Sequence, residues 1–364
     1  MQEHDERWMA LALSLGRRAM GTTWPNPAVG CVIVKDGRLI GRGITATGGR
    51  PHAETIALQM AGDAAKGAVV YVTLEPCAHT GQTPPCAETL VKAGVSRVVS
   101  AIEDPDPRVA GKGHQILRDA GIGVTTGCLA DQAARDHAGF FTQATKGRAF
   151  VTLKMATSLD GRITTQSGES QWITGAGARR MVHLMRAQHD AVLIGSGTAL
   201  ADDPSLTVRG LGIARNPVRV LIDSKLSLPL SAALLRDLPD APLWICHSDA
   251  APKAAITTLK DLGARLLPVA TSGGFLDLRA TMKLLADQGL TRIFCEGGGR
   301  LAAALMAADL VDRYVGFTAG LALGATGLPG LGPLDFDRLA DHPRFELVES
   351  QSVSGDVMHI WERP

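Results

Sequence analysis

Pro51-His52-Ala53-Glu54 and the later run Leu74-Glu75-Pro76-Cys77-Ala78-His79-Thr80-Gly81-Gln82-Thr83-Pro84-Pro85-Cys86 place an imidazole, a carboxylate and two thiols in one stretch of chain. No other feature constrains the fold as much, because these side chains can act together only where separate turns of the chain meet. One histidine nitrogen and two cysteine sulfurs are a donor set for zinc. A catalytic zinc takes three protein ligands and keeps its fourth position for water. The metal lowers the pKa of that water toward neutrality, so hydroxide is available at physiological pH. A glutamate that is not a ligand then carries a proton from the water to the leaving group. Glu54, two residues past His52, stands where that carboxylate belongs.

Taken singly, each of these residues is more simply an ordinary core or surface side chain. It is the order of four features that favours a metal centre. Zinc enzymes that deaminate bases carry His-x-Glu followed by Pro-Cys-x-x-Cys. Here eight residues separate Cys77 from Cys86, a spacing that points away from a generic nucleoside deaminase. A purely structural zinc would need a fourth protein ligand, and His79 is the only close candidate.

At 364 residues the chain is long enough for two domains. A formal charge of +1 gives no sign of a nucleic-acid groove or an anionic-membrane surface. The six cysteines are scattered, unlike a disulfide framework. The polar start Met1-Gln2-Glu3-His4-Asp5-Glu6 is unlike a secretory signal, and Met9 to Leu15 is too short an apolar run to span a bilayer. These features predict a cytoplasmic protein.

The first part of the chain alternates helix and strand. Helices are expected over Asp5–Ala19, from His52 to about Met60, over Pro84–Ala93 and over His114–Ala120. Strands are expected over Ala28–Lys35, Arg38–Gly43, Val69–Thr73, Val98–Ile102 and Ile122–Thr125, with Asp36-Gly37 as a hairpin turn. The pattern predicts an α/β domain with a mostly parallel sheet covered on both faces. It also puts His52 at the start of one helix, with Cys77 and Cys86 near the start of the next. The positive end of a helix stabilises the thiolate that zinc needs.

The polar stretch Thr142–Arg148 reads as a linker, giving domains over 1–145 and 146–364. Beyond it the alternation restarts with strands Ala149–Met155, Asp190–Ile194, Val218–Ile222, Leu243–Cys246 and Arg292–Cys295, and helices Arg179–Gln188 and Leu301–Ala308. Two glycine-rich turns follow strands, Gly195-Ser196-Gly197-Thr198 and Glu296-Gly297-Gly298-Gly299-Arg300. Missing β-carbons there would let backbone N–H groups approach phosphate oxygens, although tight corners alone explain such turns equally well. Neither fits the Gly-x-Gly-x-x-Gly fingerprint. The loop Ala201–Arg209 adds two acidic groups and an arginine.

With Pro25-Asn26-Pro27-Ala28-Val29-Gly30-Cys31, Val109-Ala110-Gly111-Lys112-Gly113, Leu153-Lys154-Met155-Ala156-Thr157-Ser158-Leu159-Asp160-Gly161 and Ser167-Gly168-Glu169-Ser170-Gln171-Trp172-Ile173-Thr174, these motifs closely match one family in order. The chain resembles the bifunctional riboflavin-biosynthesis deaminase-reductases nearly end to end. The resemblance implies an N-terminal cytidine-deaminase-like α/β/α domain and a C-terminal α/β domain similar to dihydrofolate reductase. It implies hydrolytic deamination of a diaminopyrimidine ribosylamine 5′-phosphate, then NADPH-dependent reduction of the ribosyl group to ribityl.

By the same match His52, Cys77 and Cys86 would hold Zn2+, and Glu54 would move the proton. Ala156, Trp172, Thr198, Asp202, Ser224, Gly297, Gly298 and Gly299 would contact the cofactor. Ser170, Arg186, Leu206, Arg209 and Glu296 would contact the substrate. Partners would be this small molecule and further copies of the chain as a dimer or tetramer, with no nucleic acid and no membrane. Two departures stand out. Ile44-Thr45-Ala46-Thr47 replaces a stretch that often carries a histidine, and Thr318–Gly324 lacks a common Pro-Lys-Leu-Leu-Gly-like strand end. The rival readings are a nucleoside or tRNA deaminase with a non-catalytic C-terminal domain, a zinc-stabilised binding protein, and a deaminase whose second domain is a degenerate scaffold.

Overall fold

The computed structural model describes residues 2–79, 84–107 and 109–364, so the Thr80–Thr83 part of the cysteine motif lies outside the described residues. The chain divides into two compact units, Met1–Gly147 and Arg148–Pro364.

The first unit runs α1 (Gln2–Arg17), β1 (Gly30–Lys35), β2 (Arg38–Ile44), α2 (Ala53–Ala61), β3 (Val69–Val72), α3 (Cys86–Ala93), β4 (Arg97–Ser100), α4 (Lys112–Asp119), β5 (Gly123–Thr126) and α5 (Ala130–Lys146). Its strands form one sheet in the order β2-β1-β3-β4-β5. β1 is antiparallel to β2 and β3, whereas β3, β4 and β5 are parallel. The sheet is therefore mixed, not mostly parallel. Asp36 and Gly37 reverse the chain with φ of 50° and 72°, the left-handed pair that a tight hairpin requires.

Period-two alternation sends side chains to opposite faces of this sheet. Cys31, Ile33, Val70, Val72 and Val98 meet Ala53 and Ala57 of α2, Ala87 and Leu90 of α3 and Leu117 of α4. Val32, Val34, Tyr71 and Val99 meet Trp8, Met9 and Leu13 of α1 and Ala133 of α5. The result is the expected α/β/α arrangement.

The expected linker is not a loop. α5 runs through Lys146, and Gly147 ends it in the left-handed conformation, its N–H bonded to the Gln143 carbonyl. Thr142 is buried and Phe140 and Phe141 pack on the core. Of the polar letters that suggested a linker, Thr145 and Lys146 lie on the outer face of the last helical turn.

The second unit runs β6 (Phe150–Thr157), β7 (Arg162–Thr164), α6 (Ala176–Ala187), β8 (Ala191–Gly195), α7 (Ser196–Asp202), β9 (Val218–Ile222), β10 (Leu243–His247), α8 (Lys253–Asp261), β11 (Arg265–Pro268), β12 (Thr271–Ser272), β13 (Phe275–Leu276), α9 (Leu278–Asp287), β14 (Arg292–Cys295), α10 (Gly299–Ala307), β15 (Arg313–Thr318), β16 (Leu328–Pro329), β17 (Glu346–Val353) and β18 (Asp356–Glu362). Nine strands form one sheet in the order β11-β10-β9-β8-β14-β6-β15-β18-β17. The strands from β11 to β15 are parallel, and the β17–β18 hairpin closes that edge antiparallel. β14 inserts between β6 and β8, so loops from distant parts of the chain meet at the strands' C-terminal ends. Open α/β sheets bind ligands there. Val192, Ile194, Leu221, Ile245, Phe294 and Phe317 form the centre of its core. Among the described residues no helix is long and apolar enough to cross a membrane.

Candidate active sites

His52 is the N-cap of α2, extended at φ −71° and ψ 158°, and its carbonyl accepts the Ile56 N–H at 3.2 Å. Glu54 lies in the first turn of α2 and is buried. Cys86 opens α3 behind Pro85, its N-cap. The Cys86 N–H donates to Cys77 Sγ at 3.3 Å, and the Ala87 N–H donates to the Cys77 carbonyl at 3.2 Å. The start of α3 thus holds both cysteines against the start of α2.

His52 Nδ1 lies 3.3 Å from Cys86 Sγ and 3.6 Å from Cys77 Sγ. All three donor atoms lie within 4.8 Å of one another. Zinc–sulfur and zinc–nitrogen bonds of ordinary length at a tetrahedral angle put the two donors about 3.6 Å apart, so the donor chemistry and spacing fit that ion. His79 lines the same pocket but stands outside this donor group. Among the described residues the site therefore has three donors, as a site open to water requires.

The two thiols share one proton. The hydrogen bond from Cys86, and after it that from His52, holds the Cys77 thiol well below its ordinary range, while the same Cys77–Cys86 bond, and then burial, raises Cys86. The hydrogen bond with Cys77 in turn raises His52. Burial raises the Glu54 carboxyl, and the negative charge at Cys77 adds to that effect. A carboxyl moved up from its ordinary value is better matched to taking and returning a proton near neutrality.

Thr45, where the departure from the family occurs, is buried beside this pocket. Its hydroxyl accepts the Val29 N–H at 3.0 Å, and its own N–H donates to the Val29 carbonyl at 2.9 Å. Its side chain therefore closes the wall between β1 and β2.

In the second unit, Ala156 is on β6, Thr198 and Asp202 are on α7, and Ser224 follows β9. Glu296 to Gly299 follow β14. All but Asp202, which closes α7 a helix beyond the end of β8, stand at the C-terminal ends of parallel strands. The two glycine-rich turns meet: the Gly298 N–H donates to Thr198 Oγ1 at 3.1 Å. The first of them is mostly helix, since α7 starts at Ser196. Ser224 is tied to the next strand's end, its carbonyl accepting the Ser248 hydroxyl at 2.9 Å.

Arg186 and Glu296 face each other. Arg186 Nε and Nη2 donate to the two Glu296 oxygens at 2.5 and 3.0 Å, and Nη1 donates to the Thr207 carbonyl at 3.0 Å. Burial alone would raise the Glu296 carboxyl, but Arg186 overrides it and the carboxyl is lowered. Lys154 of β6 is half-buried beside this pair, and desolvation lowers its ammonium pKa although Glu296 acts to raise it. Sequence reasoning missed Lys154 as a site residue. Its signal was present as the one charge inside an apolar strand.

The Leu206 side chain is buried in the core, leaving only its backbone to meet a ligand. The Arg209 N–H donates to His183 Nδ1 at 3.2 Å, while its side chain is exposed. Ser170 is half-buried, and Trp172 is exposed beside Arg179, whose guanidinium carbon lies 4.6 Å from the ring centroid. The altered segment after β15 is not loose. The Leu323 and Gly324 N–H groups donate to the Asp160 carboxylate at 3.0 and 2.7 Å, so this corner is built without a lysine.

The sequence matches two family profiles. Residues 2–102 match the cytidine and deoxycytidylate deaminase zinc-binding region, and residues 149–359 match the RibD C-terminal domain. The riboflavin biosynthesis protein RibD of Escherichia coli strain K12 is 42% identical, with 98% of this chain and 99% of that protein covered. The Acinetobacter baumannii RibD structure superposes with a TM-score of 0.89 at 40% identity, covering 100% of each chain. The chain belongs to the RibD family. The Thermotoga maritima diaminohydroxyphosphoribosylaminopyrimidine deaminase/5-amino-6-(5-phosphoribosylamino)uracil reductase superposes at a TM-score of 0.87 and 32% identity, covering 100% of this chain and 99% of that one. Like the rest of the RibD family, this chain is a bifunctional enzyme of riboflavin biosynthesis, a deaminase joined to a reductase. The two matched domains imply a zinc ion and a nicotinamide cofactor.

Proposed function

We propose that the Met1–Gly147 unit deaminates 2,5-diamino-6-ribosylamino-4(3H)-pyrimidinone 5′-phosphate and that the Arg148–Pro364 unit then reduces the ribosyl group, giving 5-amino-6-(5-phosphoribitylamino)uracil. The observation that carries this reading is the convergence of His52, Cys77 and Cys86 with the buried Glu54 beside them.

His52 Nδ1 and the two sulfurs would hold zinc, whose chemistry is to acidify water and favour its attack on the ring carbon that bears the amino group. Glu54 takes the proton from that water at its carboxylate and passes it to the departing nitrogen. The carbon–nitrogen bond breaks, and ammonia leaves. Burial of Glu54 keeps bulk water from competing for the proton.

In the reductase, NADPH would supply the hydride to the open-chain sugar carbon. Ala156, Trp172, Thr198, Asp202, Ser224 and the Gly297–Gly299 turn would seat it. Arg186 and Glu296, with Ser170, Leu206 and Arg209, would hold the substrate. The preference for NADPH over NADH rests on the family resemblance, and the ratio of kcat/KM for the two tests it. The same reading takes the enzyme to be cytoplasmic and homo-oligomeric, which sedimentation of the purified protein tests for the second point.

The deciding experiment offers the purified protein the diamino compound, cytidine, deoxycytidylate and adenosine in tRNA separately, and measures ammonia and product mass. Ammonia from the diamino compound alone is the expected result. Ammonia from a nucleoside or from tRNA would replace this reading with the simpler deaminase.

A further inference from the structure

Glu75 has no part in the chemistry above, yet its carboxylate is wholly buried two residues before Cys77. Its Oε2 accepts the N–H groups of Asp104 at 3.2 Å and Gly111 at 2.9 Å. Its Oε1 accepts those of Gly113 at 2.9 Å and His114 at 3.2 Å. Four backbone donors on one carboxylate form an anion cradle of charge-assisted hydrogen bonds. Glu103 and His114 lie close enough to Glu75 to suggest a second cation site. The cradle argues against one: both oxygens already face N–H dipoles, which repel a cation as they attract the carboxylate.

The cradle connects two walls of one pocket. Asp104 and Asp106 are buried and line the pocket that also holds His52, Glu54 and Cys77. The Asp106 N–H donates to Asp104 Oδ1 at 2.8 Å, which ties the two together. Gly113 approaches so closely that a β-carbon there would lie 1.9 Å from the Pro76 carbonyl oxygen. Gly111 has φ +80°, a conformation that suits glycine.

We propose that Glu75 is a positioning residue of the deaminase. It fixes residues 104 and 111–114 to the cysteine-bearing segment, and so holds the Asp104–Asp106 wall of the substrate pocket in place. This role rests on the deaminase reading above. It places Glu75 outside the proton transfer itself, so its loss affects substrate binding before the chemical step.

The test is Glu75→Gln, which keeps the shape but turns two N–H donors toward a ring of N–H groups. Hydrogen–deuterium exchange of the 109–114 segment is expected to accelerate on the order of tenfold or more, with β3 unchanged. KM for the diamino compound is expected to rise on the order of tenfold, the loss of about one charge-assisted hydrogen bond. The expected kcat stays within about threefold and the zinc content does not change. Gly113→Ala, whose β-carbon would meet the Pro76 carbonyl oxygen at 1.9 Å and Glu75 Oε1 at 3.2 Å, displaces the same segment while leaving the carboxylate's charge in place and should reproduce the KM rise, which keeps the proposal open to test if Glu75→Gln does not fold. Unchanged exchange and KM in these variants would overturn it. Lost zinc and kcat at constant KM would overturn it too, by making Glu75 a support of Cys77 alone. If the unaltered enzyme released no ammonia, the functional reading would fail while the exchange measurement still judged the cradle.

Discussion

Gly43 of β2 lies under the start of α2, against Ala53, Ile56 and Ala57. A β-carbon at this position would stand 2.1 Å from the Ala53 carbonyl oxygen and 2.8 Å from the Ala57 nitrogen. Both are backbone atoms, so no side-chain rotation relieves the clash. Reaching ordinary contact requires α2 to move by about 1 Å. Ala53 is flanked by His52 and Glu54, so both would move with it. A misplacement of about 1 Å costs on the order of a hundredfold in rate, and overpacking costs about 1–3 kcal/mol of stability. Gly43→Ala is therefore expected to lower kcat for ammonia release by about that factor. NADPH oxidation with the deaminated intermediate should be unchanged, because that chemistry lies in the other unit. Deamination within about threefold of the unaltered rate would refute the claim that α2 sets the position of Glu54.

Arg186→Met leaves Glu296 buried with its ion pair broken. It should cost about 3–5 kcal/mol in urea unfolding of the second unit, and a loss under about 1 kcal/mol would contradict the pairing seen here. The Asp160 carboxyl is held down at about 2 by the Leu323 N–H and then by the Ser158 hydroxyl. Its folded value is below its ordinary 3.8, so this clip is complete above pH 3.8 and is lost as pH falls toward 2. Protease nicking of the 321–324 segment should rise across that window in the unaltered chain, and Asp160→Asn should flatten the rise. Equal pH dependence in the two would remove the clip from the account. Stripping zinc with a chelator should abolish ammonia release and leave reduction of the deaminated intermediate within about twofold. Equal loss of both activities would mean that the metal supports the whole fold.

Much of the site was legible because it is local. His52 and Glu54 fall on one helix start, and Pro84-Pro85 announces the helix that Cys86 opens. The parallel run of the second sheet was legible in its apolar strands. Four features were not. The helix over Ala130–Lys146 ends in polar residues that read as linker, and only packing of Phe140 and Phe141 shows its buried side. The antiparallel pairing of β1 with β2 was legible in the Asp36-Gly37 hairpin, but its antiparallel pairing with β3 depends on strand order, about which periodicity carries no information. The Arg186–Glu296 fork joins residues far apart in sequence, and both had been assigned to a ligand. Glu75 was quoted within the cysteine motif, but its four partners are backbone groups, which have no letter in a sequence.

On this reading two activities act in order on one chain, the first through Glu54. The most direct test follows NADPH oxidation when the diamino compound is supplied, in the unaltered enzyme and in Glu54→Gln. Oxidation is expected in the former, none in the latter, and full recovery in the latter once the deaminated intermediate is added. Oxidation by Glu54→Gln from the diamino compound, or none by either protein from the intermediate, would contradict the account.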